Sequence, residues 1–250
     1  MKKHLWFILA ICMLFVASIA MAAPGDGLPG NGIKLTAHDL SSNTAWGPTF
    51  GDTTEQAGLD RICIYCHAPH NTLKLADAAG INYLPLWNHN VTVQTYAMYS
   101  PGTDLPSDPN HQSKAAELLV GQNRPGGVSR LCLSCHDATV ATNAYGQYGA
   151  SSKGAANKFV TGAFIIGGNG DLSNHHPIGF DYDIAQASDD ELAPKVTQMG
   201  NVKIQDLLWA NKMECTTCHD VHNTKNQGEK FLWISDANSN FCLTCHLKNQ

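Results

Sequence analysis

Beyond residue 22 the 250-residue sequence has no apolar run long enough to cross a bilayer as a helix, which excludes a second helical span. It has no basic excess. Lys and Arg number 16 against 21 Asp and Glu, a formal net charge of −5, the wrong sign for a nucleic-acid partner. Long periodic runs are missing as well. Gly, Pro, Asn and Ser are scattered throughout, which excludes coiled coils and extended helices. Past residue 22 no cysteine stands outside one recurring spacing, so none is left over for an ordinary disulfide framework.

The apolar run that does exist is at the start. Lys2 and Lys3 precede an apolar stretch over 5–20, followed by Ala20-Met21-Ala22 and then Pro24. A short basic start, an apolar core and a small-x-small cleavage pattern predict a secretory signal peptide over 1–22. Cys12 lies inside it, too early for a lipidated cysteine at the cleavage point. Removing Lys2 and Lys3 takes the net charge to −7, and the remaining 23–250 are expected to work outside the cytoplasm as a single domain.

The eight cysteines of 23–250 form one pattern four times: Cys63-Ile-Tyr-Cys66-His67, Cys132-Leu-Ser-Cys135-His136, Cys215-Thr-Thr-Cys218-His219 and Cys242-Leu-Thr-Cys245-His246. Cys-x-x-Cys-His is the attachment signature of c-type haem. Two thiols three positions apart suit the two vinyl groups on one porphyrin edge, and the next histidine is tethered beneath the iron as its proximal ligand. Paired Cys-x-x-Cys units also bind zinc, but a zinc ribbon does not demand histidine after each second cysteine. With 12 histidines in 250 residues, four such hits by chance have odds of about five in a million. A thioredoxin-like motif occurs once per βαβ unit, and disulfide pairing predicts no histidines. Four haem c groups are expected, held by Cys63, Cys66, Cys132, Cys135, Cys215, Cys218, Cys242 and Cys245, with His67, His136, His219 and His246 as proximal ligands.

Each six-coordinate iron needs a second axial ligand. Only Met98, Met199 and Met213 lie beyond residue 22, too few for four His/Met sites. Seven further histidines are present: His38, His70, His89, His111, His175, His176 and His222. Bis-histidine ligation follows as the expectation. His70 and His222 each come three residues after a proximal histidine. Three residues span at most roughly 10 Å, so neither can round its own macrocycle, and each must serve a neighbouring haem. Pro69 also stiffens the first of these tethers. Of His175 and His176, the second is preferred, because Pro177 holds its backbone extended. His38 precedes the first site beside Asp39, and His89 follows Trp87, an aromatic able to pack on a porphyrin. His111 sits in a Pro- and Asp-rich loop and is expected to be solvated. Five candidates, His38, His70, His89, His176 and His222, compete for four positions, so one is idle or serves another molecule.

The sites form a doublet. In each half the first motif carries an extra His-Asn (His70-Asn71, His222-Asn223) and the second does not, as duplication of a two-haem unit over about 38–150 and 170–250 would produce. The expected fold is a multihaem cytochrome c, mostly coil with a few short helices wrapped around a closely packed haem chain. Short helices are expected over 54–63, 113–120 and 202–212, a strand over 159–166, and a loop or frayed helix over 183–192. A conventional layered core is not expected.

Cys63 to Asn71, Leu86-Trp87-Asn88-His89, His176-Pro-Ile-Gly-Phe180 and Cys215 to Asn223 resemble the doubled Cys-x-x-Cys-His cytochromes of metal-respiring bacteria and some archaea. Within that group the chain is similar, over 38–246, to tetrahaem cytochromes that polymerise into extracellular conducting filaments. The resemblance implies electron transfer to other redox proteins or extracellular acceptors, and one haem completed by a histidine of the next subunit, for which His38 is the candidate. The expected location is extracellular or on the outer surface, alternatively periplasmic. No enzyme activity is expected; the alternative, a multihaem reductase, needs one open haem position.

Overall fold

The computed structural model describes residues 27–41, 61–69, 86–99, 114–146 and 157–247. Its helices are short: α1 (Lys114–Leu119), α2 (Ser129–His136), α3 (Tyr182–Gln186), α4 (Ile204–Leu207), α5 (Cys215–Cys218) and α6 (Asn240–Cys245), with 3-10 turns at Ile62–Tyr65, Gly162–Phe164, Gly168–Gly170 and Ala237–Ser239. A two-residue hairpin pairs β1 (Gln198–Met199) with antiparallel β2 (Val202–Lys203). The rest is coil, as expected. No helix among the described residues is long and apolar enough to cross a membrane.

The core departs from expectation. Tyr96, Leu119, Leu133, Leu172, Phe180, Tyr182, Ile204, Leu207 and Ile234 form one buried cluster, and Met98, Met199 and Met213 lie inside it. Sparse apolar residues from many coil segments converge there without periodicity, which is why no pattern announced it. All three methionines serve packing, filling irregular gaps as flexible thioethers do.

Local chemistry explains the element ends. The predicted 202–212 helix shrinks to α4 because Leu208 turns extended (φ −76°, ψ 129°), and Ala210 and Asn211 then take positive φ (46° and 64°), which keeps the helix from resuming. In place of the predicted strand, 159–166 makes a 3-10 turn from Gly162 at φ 63° and lies over α2, Ile166 N–H donating to His136 O at 2.7 Å. The Asp181 carboxylate caps α3 by accepting from Ile184 N at 3.1 Å. The 113–120 expectation corresponds to α1, and most of 54–63 lies outside the described residues. Gly127, at φ 48° just before α2, would put a Cβ 2.8 Å from Trp209 Cδ1, so only glycine lets Trp209 pack against the start of that helix.

Candidate haem-binding sites

Each attachment motif closes one helical turn. His67 N–H donates to Cys63 O (2.8 Å), His219 to Cys215 O (3.0 Å) and His246 to Cys242 O (2.9 Å), while the second motif lies wholly within α2. A turn brings residues three apart onto one face, so both sulfurs of a motif look the same way. None of the eight cysteines is in a disulfide. Among the described residues no three His, Cys, Asp or Glu side chains gather into a metal site, the arrangement a zinc ribbon requires.

Three of the motif histidines lie beside a second histidine. His136 and His38 have ring centroids 6.0 Å apart, His67 and His222 6.1 Å, and His246 and His176 6.3 Å. Two imidazoles on opposite sides of one metal, each nitrogen about 2 Å from it, have centroids about 6 Å apart once the nitrogen-to-centre distances are added. The residues therefore fit iron held between two imidazoles at these places. The other ring nitrogens fit as well. His136 Nδ1 pairs with Phe164 O (2.8 Å), His219 Nδ1 with Lys230 O (2.9 Å) and His176 Nδ1 with Pro177 O (3.0 Å). A carbonyl accepting from Nδ1–H fixes the tautomer with Nε2 unprotonated, the form that binds metal. His38 is bonded to the Val221 carbonyl; burial, then the nearby His136, brings its pKa down to about 4, so it stays neutral.

His89 behaves differently. It is fully buried, and its ring nitrogens meet Asn90 O (2.7 Å) and Ala141 O (3.0 Å), with Cys135 Sγ 3.5 Å from Nε2. Burial keeps this imidazole neutral, so only one of its nitrogens donates to a carbonyl. His175 lies next to Asp171, whose carboxyl it helps hold low behind the Ser173 hydrogen bonds. His70 and His111 lie outside the described residues. His38 meets a proximal histidine of its own chain.

The thiols record which sites are neighbours. Interaction between Cys132 and Cys215, from the second and third motifs, pushes the Cys132 thiol up and the Cys215 thiol down. Burial, then Cys66, raises Cys135. Burial, then Cys245, Cys215 and Cys242, pushes Cys218 up to about 12.

Several positioning residues escaped the sequence reading. Asp137 and Asp220 both follow a proximal histidine. Asp220 accepts from His222 N (3.2 Å), Thr224 N (2.8 Å) and Lys225 N (2.8 Å), shaping the turn that aims His222. Asp137 accepts from Thr92 Oγ1 (2.7 Å), Tyr96 OH (2.6 Å) and Thr139 N (2.7 Å), tying 91–96 to the end of α2. Buried Asn223 donates to Leu28 O (2.8 Å) and Gly32 O (2.6 Å) and accepts from Gly30 N (3.1 Å), clamping the arm that carries His38. The repeated Cys-x-x-Cys-His-Asp and the His-Asn pairs were visible signals for these roles.

Glu214, 1 % exposed, precedes the third motif. Its Oε2 accepts from Ser129 Oγ, and that hydroxyl oxygen accepts from Cys215 N at 2.9 Å. Burial pushes its pKa up from 4.5 to about 8. Between those values the native state binds more protons than the unfolded chain, so stability is full below pH 4.5 and falls as pH rises toward 8. Denaturant titrations across that range should show a loss on the order of 2–4 kcal/mol. In Glu214→Gln the loss should flatten; an unchanged slope would show that Glu214 does not cause it.

The family model for the doubled CXXCH motif matches residues 209–250, the stretch holding the third and fourth sites. That motif implies covalently bound haem c; it is consistent with a multihaem c-type cytochrome and points to electron transfer. No curated protein matches the chain.

Proposed function

We propose that the chain holds four haem c groups, closely packed, and serves as an exported electron conduit without enzymatic activity. The observation that carries this is the opposition of three attachment histidines to three others at 6.0–6.3 Å. On this reading His38 closes the second site, His222 the first and His176 the fourth. The doublet extends it to the third: His70 follows His67 as His222 follows His219, so with His222 on the first site His70 belongs on the third. His89 is then the surplus candidate.

Haem c supplies one-electron chemistry at its iron, and the protein sets potential through axial ligands, hydrogen bonds and burial. Here the Nδ1-to-carbonyl bonds orient the imidazoles, the core fixes the turns that bear them, and two nitrogen donors per iron exclude substrate. The signal-peptide pattern expected over 1–22 supports export to an extracellular or periplasmic location, with redox proteins or extracellular acceptors as partners. Assembly into filaments is the finer form of this reading, with a neighbour's histidine completing the third site in place of His70. The reductase alternative needs that site to stay open.

Intact mass of the purified chain should equal residues 23–250 plus four haems. Fewer than four, or a mass matching zinc, would overturn the reading. Electron microscopy of the secreted material separates filament from monomer.

A further inference from the structure

The sequence has three arginines, Arg61, Arg124 and Arg130, and the fold brings two of them to one stretch of coil. Arg124 Nη2 donates to Val93 O at 2.8 Å, and Arg130 Nη2 donates to Thr92 O at 3.0 Å. Consecutive Cα atoms are about 3.8 Å apart, so two neighbouring carbonyls hold the guanidiniums beside each other. The coil itself is fixed: Thr92 N donates to Ser134 Oγ at 3.0 Å, and Tyr96 N donates to Asn123 O at 2.7 Å, next to Arg124. Two like charges held together need a counter-charge, the more so when one is buried, and Arg130 is 7 % exposed. Burial, then the charge of Arg124, lowers the Arg130 pKa, yet a guanidinium stays protonated. Among the described residues neither arginine makes an ion pair. Asp137, which meets the same coil, engages its oxygens with Thr92 Oγ1, Tyr96 OH and Thr139 N instead. The Nε–H groups of Arg124 and Arg130 are both buried and both lack an acceptor. Arg124 is only half-buried and Val93 is 79 % exposed, so the pair lies within reach of solvent.

We propose that Arg124 and Arg130 form an oxyanion-binding site that takes a carboxylate or phosphate group. Two adjacent planar cations with unused N–H groups match an anion that offers several acceptor oxygens, and lysine would not supply the same fork. The anion offsets the paired charge, accepts from the stranded Nε–H groups and ties α2 to the 91–96 coil. Two sources carry this chemistry. One is free phosphate from solvent. The other is a haem propionate, and that arm alone rests on the four-haem reading.

The probe is inorganic phosphate, titrated into the holoprotein in phosphate-free buffer and read by calorimetry and melting temperature, with chloride at matched ionic strength as control. One saturable site that chloride does not mimic, weakened about tenfold or more in Arg124→Gln, supports the site and assigns it to a free anion. No phosphate binding, with Arg124→Gln lowering the midpoint of one haem and shifting its propionate resonances by NMR, supports the site and assigns it to a propionate, because loss of a nearby cation favours the ferric state. Neither response, or a phosphate response that chloride reproduces or that survives Arg124→Gln and Arg130→Gln, overturns the site. If Arg130→Gln does not fold, the half-buried Arg124 position decides alone. Failure of the four-haem reading shows separately, as missing haem mass, and leaves the phosphate titration readable.

Discussion

His222→Ala is expected to alter the first haem site and leave the third, to which His222 is nearest in sequence, spectroscopically intact. The ring of His222 opposes His67 at 6.1 Å with planes 27° apart, and Asp220 holds the turn that aims it there. Deleting it should convert one of four irons from low-spin to high-spin. The affected resonances should be those that also shift when residues around Trp87 change, since Trp87 packs edge-on against His67 at 5.9 Å. His222→Met should keep the iron six-coordinate and raise its potential, because a thioether is the weaker donor to ferric iron. A high-spin signal assigned to the third site would show that the cross-pairing is wrong.

Asp137→Ala is expected to be the most destabilising single change outside the axial ligands. Asp137 is 3 % exposed and gathers donors from two segments: Tyr96 OH and Thr92 Oγ1 on the 91–96 coil, and Thr139 N and Oγ1 just after the second motif. The same coil is held by Thr92 N donating to Ser134 Oγ at 3.0 Å and Arg130 Nη2 donating to Thr92 O at 3.0 Å. Alanine would strand a phenol, an amide and, since the Thr92 and Thr139 hydroxyls can pair with each other, one of two hydroxyls, at 1–3 kcal/mol each, an expected loss of about 3–5 kcal/mol by denaturant unfolding. That is a large share of the roughly 5–15 kcal/mol by which a domain is stable. Asp137→Asn retains one acceptor oxygen and should lose about half as much. A change below about 1 kcal/mol for alanine would mean that the network is redundant.

The attachment motifs are legible in the sequence because the chemistry they imply is local. Two sulfurs and a histidine must sit within five residues, and a helical turn then arranges them without help. Distal pairing is long-range, and its legibility varied with the tether. The three-residue reach from His219 ruled out its own site for His222 but did not say which neighbour it joins. Nothing in the 97 positions between His38 and His136 signals their meeting, which depends on Asn223 clamping the arm from far along the chain. His89 was singled out by its aromatic neighbour; the carbonyls from 90 and 141 near its ring were invisible in the sequence. The core was missed because it is assembled from single residues on turns, with no element long enough to show a period.

Electron paramagnetic resonance of the fully oxidised, purified protein, with spin counts set against total iron, bears most directly on the axial pairs. Four low-spin ferric centres with imidazole on both faces are the predicted outcome. Two or more high-spin irons, or protein without a Soret band, would contradict it.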